Sequence, residues 1–188
     1  MYIVDRDGVL FDTCRLNIEA YSQATRKLNL ELNMIELEKN IHSGKSFSEY
    51  CLNVWPDLGS TAINEVKLEK SNFFNENLDL ARLNSGLLNE LLLNKSTMCL
   101  LSRATESSTL SLLRHFNVST FGENVYSTQT FNNPSKMFAI KLLEKKLLVS
   151  SHEISIIDDS INFVKEAMLA GYNAIHYKHF CSFQSGVA

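Results

Sequence analysis

The sequence predicts an α/β fold, a doubly wound parallel sheet carrying a helical insert after its first strand. Three observations predict it. A short apolar run, Met1 to Val4, opens the chain and stops at two carboxylates, Asp5 and Asp7. From Thr97 onward, short apolar runs alternate with helical patterns, which demands crossovers between parallel strands. Between these regions, from Leu16 to about Leu80, only helical periodicity occurs.

Met1 to Val4 has the continuous apolar character of a strand buried on both faces. In the insert, Ile18, Tyr21, Ala24 and Leu28 mark one helical face, and Met34, Ile35, Leu37 and Ile41 another. Breaks fall near Ser43-Gly44 and at Pro56-Asp57-Leu58-Gly59. A helix over Leu83 to Leu93 then leads into a strand, Thr97 to Leu101, that stops at Ser102. The reading continues with a helix at Ser107 to His115, a strand near Val125-Tyr126 and a helix from Ser135 to Leu147. It closes with a strand at Ile154 to Ile157, a helix at Phe163 to Ala170 and a strand at Ala174 to Tyr177. The expected domains are therefore a core of residues 1–13 and 81–188 and an insert of residues 14–80.

Composition narrows the function. With 18 basic and 21 acidic residues, the chain has no cationic surplus with which to neutralise a nucleic-acid backbone. Cys14, Cys51, Cys99 and Cys181 form no CxxC pair, so reduced, mostly buried thiols are expected rather than a zinc or redox motif. The longest apolar stretch, Gly86 to Leu93, contains Asn89 and Glu90 and is too short to cross a bilayer. No charged segment followed by an apolar run opens the chain, and a cytoplasmic, membrane-independent protein is the expectation.

In a parallel sheet the loops beyond the carboxyl ends of the strands form the ligand crevice. Three expected strands end in polar residues of chemical interest: Asp5 with Asp7, Ser102, and Asp158 with Asp159. Gly8 permits a sharp turn directly after the first pair. Adjacent acids such as Asp158 and Asp159 repel unless a cation compensates them, although one of them could instead cap the helix that follows. Four carboxylates at one sheet edge suit a hard divalent cation, magnesium where phosphate completes the shell. A carboxylate attacking phosphorus also needs cations and donors to offset the accumulating charge. Ser102, with the amide of Arg103 at a helix start, and Lys136 near the start of its helix are the candidates. A cap and a solvated lysine are the ordinary alternatives.

VDRDGVLFDT, LLSRA, NNPSKMFAIKLL and IIDDSINFVKEAMLAGYNAI resemble, in order and spacing, the four motifs of the haloacid-dehalogenase-like phosphatase superfamily. The resemblance spans nearly the whole chain and implies a Rossmann-like core. By that resemblance Asp5 is the nucleophile and Asp7 the general acid/base. Asp5, the main-chain carbonyl of Asp7 and Asp159 would hold magnesium, with Asp158 assisting directly or through water. Ser102 and Lys136 would steady the transferred phosphoryl. The insert falls where the family places a helical cap, as in phosphoglycolate phosphatase and beta-phosphoglucomutase relatives. Within it, Lys45 is a candidate contact for a second anionic group, set against an ordinary surface lysine.

The chain departs from the pattern in three places. Phe163 replaces an acid common four positions after the Asp159 equivalent, and Arg6 replaces a commoner apolar residue between the aspartates. In the third motif Pro134 follows Asn133 and the lysine comes two residues later, so Lys136 and Asn133 compete for one role. The resulting expectation is a magnesium-dependent phosphatase acting on a small phosphorylated metabolite through an aspartyl-phosphate on Asp5, as a monomer or weak homodimer. A phosphomutase of the beta-phosphoglucomutase type, or a catalytically silent binding or regulatory protein on the same fold, is the alternative.

Overall fold

A computed structural model describes residues 1–42, 47–133 and 135–177. In chain order the elements are β1 (Tyr2–Asp5), β2 (Phe11–Asp12), α1 (Cys14–Lys27), α2 (Met34–His42), α3 (Phe47–Val54), α4 (Ser60–Glu76), β3 (Arg82–Leu83) and α5 (Ser85–Leu93). They continue with β4 (Met98–Ser102), α6 (Glu106–His115), β5 (Val125–Ser127), α7 (Lys136–Leu147), β6 (Ser155–Asp158), α8 (Ile161–Leu169) and β7 (Asn173–His176). The chain divides into two compact units, Met1–Asp12 with Arg82–Ala188, and Thr13–Ala81.

The first unit is built on a five-stranded sheet in the order β5-β4-β1-β6-β7, parallel at every pairing. Each neighbouring pair except β1-β4 and β1-β6 is joined by one crossover, and the order reverses at β1, which leaves a crevice at that strand's carboxyl end. Val4 lies opposite both Leu100 and Ile157, so β1, β4 and β6 finish together. β4 is buried along its whole length, as an interior parallel strand must be. On one face Ile3, Leu101 and Ile156 pack with Ile140 and Leu143 of α7 and with Phe163 and Ala167 of α8.

The helices of this unit start where short polar side chains can cap them. Asn84, Thr105, Ser135 and Ser160 each accept a hydrogen bond from the backbone N–H three residues on. Two elements escaped the sequence pattern: β2 and β3 form a two-residue antiparallel ribbon, Phe11 opposite Leu83. Because Leu83 is used there and Asn84 caps, α5 begins at Ser85 rather than at Leu83.

Every regular element among the described residues of the second unit is a helix, and the break expected at Pro56–Gly59 separates α3 from α4. Leu16, Ala20 and Ala24 recur every four residues and give α1 its buried stripe. Ala24, Leu37, Tyr50, Cys51 and Val66 make a core shared by all four helices. The Tyr50 ring meets Trp55 edge-on at 5.4 Å, and its hydroxyl both accepts from Asn33 N–H and donates to Asn33 C=O, each at 3.2 Å. The break expected at Ser43-Gly44 lies outside the described residues, as does Cys181. Burial pushes the Cys51 and Cys99 thiols up, Cys99 to about 11, so both are inert packing groups. No helix among the described residues is long and apolar enough to cross a membrane.

Candidate active site

The site forms where β1, β4 and β6 end. β1 delivers Asp5, only 8% exposed, and the turn after it folds tightly back: Phe11 N–H donates to Arg6 C=O at 2.8 Å and Gly8 N–H to Phe11 C=O at 2.9 Å. β6 delivers Asp158, 2% exposed, with Asp159 on the solvent side. One carboxylate oxygen from each of Asp5, Asp158 and Asp159 lies within 4.8 Å of the other two.

Lys136, in the first turn of α7, reaches into this group. Its Nζ lies 2.6 Å from Asp5 Oδ2 and 2.7 Å from Asp158 Oδ2. The other oxygen of each acid is also held: Asp5 Oδ1 accepts from Arg6 N–H and Asp158 Oδ1 from Ser160 N–H, both at 2.8 Å. Asp158 thus braces the start of α8 and faces the cluster at the same time. Within the third motif, Asn133 Oδ1 accepts from Ser135 N–H at 2.8 Å, whereas Lys136 spans the two acids. Phe163 has a place too: its ring lies 5.6 Å from Lys136 Nζ, a cation–π contact supporting the ammonium from below.

Electrostatics record the crowding. Burial, with Asp158, Asp159 and Asp7 adding to it, raises the Asp5 carboxyl to about 8 against the pull of Lys136. Asp159 is raised as well, by burial and then by Asp158. Burial alone would depress Lys136, yet Asp5 and Asp158 outweigh it and hold its pKa above the ordinary value. Three acids around one ammonium leave negative charge that a cation would relieve, and the donors are all hard oxygens, which fits a magnesium-type ion.

Gly8 fits the same picture. It sits at φ +75°, and a Cβ there would lie 2.2 Å from Asp159 Oδ2, so the site needs glycine both for the turn and for room. Ser102, 1% exposed, ends β4 one residue beyond Leu101, the neighbour of Asp5 across the sheet. Its Oγ accepts from Ala104 N–H at 3.0 Å. Arg103, expected to open a helix, does not do so. The chain turns through Ala104, Thr105 caps, and α6 starts at Glu106, leaving Arg103 exposed in the loop. The Asp7 carboxylate is gripped by Arg6, and its charge is among those that raise Asp5 and Asp159. Lys45 lies outside the described residues.

A profile of haloacid dehalogenase-like hydrolases matches residues 2–176. The chain belongs to the haloacid dehalogenase-like hydrolase family. Solved structures share the fold of this haloacid dehalogenase-like hydrolase. A predicted phosphoglycolate phosphatase from Haemophilus somnus superposes with a TM-score of 0.74 at 16% identity, covering 93% of this chain and 83% of that one. A haloacid dehalogenase-like family hydrolase from Streptococcus pneumoniae gives 0.73 at 15% identity, covering 92% and 81%. A family hydrolase from Deinococcus radiodurans, solved with bound phosphate and sodium, gives 0.63 at 15% identity, covering 92% and 77%. No curated protein sequence matches the chain.

Sequence reasoning missed what Arg6 and Asn84 do. Asn84 is buried and links three places: it accepts from Leu87 N–H and donates to Val9 C=O and the Tyr177 hydroxyl. An asparagine ahead of an apolar helix signals the first of these contacts, but nothing local signals the other two.

Proposed function

We propose that this hydrolase is a magnesium-dependent phosphatase of small phosphorylated metabolites that works through an aspartyl-phosphate on Asp5. The observation that carries the reading is the Lys136 ammonium shared between Asp5 and Asp158, with Asp159 beside them. A surface cluster of acids has no reason to bury a lysine at its centre. An anion-handling site does, since the ammonium can exchange part of its contact with the carboxylates for phosphoryl oxygens. The bound phosphate of the Deinococcus radiodurans hydrolase supports an anion as ligand.

In this mechanism an Asp5 oxygen attacks phosphorus and the bond to the substrate oxygen breaks. Asp7 gives its proton to the departing alkoxide and is left as a carboxylate. Asp7 then takes a proton from water, whose oxygen attacks phosphorus; the Asp5–phosphorus bond breaks and inorganic phosphate and free Asp5 result. Lys136 and the Ser102 hydroxyl hold the phosphoryl oxygens throughout. Asp5, Asp159 and the Asp7 carbonyl, with Asp158, would hold the magnesium, which when bound screens the repulsion between carboxylate and phosphoryl. The helical unit, inserted in the chain between β2 and β3, is assigned substrate selection as a cap, with Lys45 as a contact for a second anionic group. A sugar phosphate or phosphoglycolate-like acid is the proposed substrate class, on analogy with relatives.

The test is phosphate release from a panel of phosphorylated metabolites and from para-nitrophenyl phosphate, with and without magnesium. Magnesium-dependent release that Asp5→Asn abolishes is expected. Isomerised product without phosphate would point to a mutase. Absence of turnover, with Asp5→Asn indistinguishable from wild type and no beryllium fluoride adduct, would refute the enzymatic reading.

A further inference from the structure

The residue between the two motif aspartates is built into a relay of contacts that ends on Asp7. Arg6 is 2% exposed. Its Nε donates to Asp7 Oδ2 at 3.0 Å and its Nη2 to Asp7 Oδ1 at 2.9 Å, a two-pronged grip on one carboxylate. Its Nη1 donates to Ser108 Oγ at 2.8 Å and lies 3.4 Å from Thr109 Oγ1.

Those two hydroxyls are themselves aimed. Ser108 Oγ and Thr109 Oγ1 both donate to the Thr105 carbonyl at 3.0 Å, so their hydrogens point away and their lone pairs face the guanidinium. Thr105 is also the cap of α6, accepting from Ser108 N–H at 3.2 Å. The direction of the guanidinium is therefore set by the first turn of a helix.

We infer that Arg6 is the positioning residue for Asp7, transmitting the fixed geometry of the α6 first turn to the carboxylate that handles protons. The inference rests on the phosphatase reading, in which Asp7 protonates the leaving group. A purely structural ion pair would support the turn and leave the chemistry indifferent to how the guanidinium is held. A positioning role makes proton delivery depend on it. Lysine, a point charge with no fork, would hold Asp7 without fixing its plane.

The experiment compares two esters that differ in their need for that proton. An alkyl phosphate departs as a strongly basic alkoxide, whereas para-nitrophenyl phosphate leaves as a phenolate that needs almost no protonation. Arg6→Lys and Arg6→Met should lower kcat for the alkyl ester about 10- to 100-fold more than for the aryl ester, with KM changed little. Lysine should recover part of the loss. Because Arg6→Met could prevent folding, Ser108→Ala combined with Thr109→Val is made as well; it keeps the guanidinium, loosens its anchor and should shift the ratio the same way by less. An alkyl-to-aryl ratio equal to wild type in the folded Arg6→Lys and anchor variants overturns the positioning role alone. Wild type that hydrolyses neither ester overturns the phosphatase reading on which it rests.

Discussion

Replacing Asp5 with asparagine should stabilise the metal-free protein while abolishing its chemistry. The Asp5 carboxyl is raised from an ordinary 3.8 to about 8 in the folded chain. Between those values the folded state binds more protons than the unfolded one. Stability is therefore full below the lower value and falls as the pH rises toward the upper one, by at most about 1.4 kcal/mol per pH unit. Asparagine matches the size of aspartate and can still accept from Arg6 N–H, but it carries no charge to desolvate. Against this gain stands the loss of one carboxylate partner from Lys136, which keeps Asp158. At about pH 7 the net result is a metal-free Asp5→Asn protein more stable than wild type by roughly 2 to 4 kcal/mol, the gap narrowing toward about pH 5. Urea denaturation in EDTA at several pH values measures it, and the difference between the two proteins cancels the titrating groups remote from Asp5. Magnesium should narrow the gap by stabilising wild type more than the variant, with proton release on binding. Parallel stability profiles in EDTA, or a wild type that gains stability as the pH rises through this window, would refute the reasoning.

Lys136→Met leaves Asp5 and Asp158 buried without their ammonium, so the metal-free fold should lose about 3 to 5 kcal/mol, partly restored by magnesium; kcat should fall about 100- to 1,000-fold in the standard turnover assay. Gly8→Ala places a methyl group against Asp159 at a positive φ; calorimetric titration should show magnesium bound about 10- to 100-fold more weakly in a protein that still folds. Tyr50→Phe removes a hydroxyl paired both ways with Asn33 and should cost about 0.5 to 1.5 kcal/mol in denaturant melts, without altering magnesium affinity.

Much of the fold was legible because its strands are short apolar runs stopped by acids or serine. Tyr2–Asp5 and Ser155–Asp158 are such runs, and their parallel pairing follows from the helices between them. What escaped was structure whose cause is not local. Phe11 and Leu83 are separated by the entire helical unit in sequence, and a two-residue ribbon carries no periodicity to read. The site divides along the same line. Asp5, Asp158 and Asp159 stood out as acids at strand ends, and Lys136 as a cation near a helix start. The grip of Arg6 on Asp7 was invisible, since its anchors Ser108 and Thr109 look like ordinary residues in a helix first turn. The later start of the helix after Arg103 has a plain cause: Ser102 engages Ala104 N–H, and the helix waits for the Thr105 cap.

The most direct test is an acid-quenched reaction of the enzyme with magnesium and a phosphoryl-radiolabelled ester. Label that survives acid, is released by hydroxylamine and maps to the peptide bearing Asp5 is the predicted result, absent in Asp5→Asn. Turnover with no protein-bound label under single-turnover conditions, or label on any other residue, would contradict it.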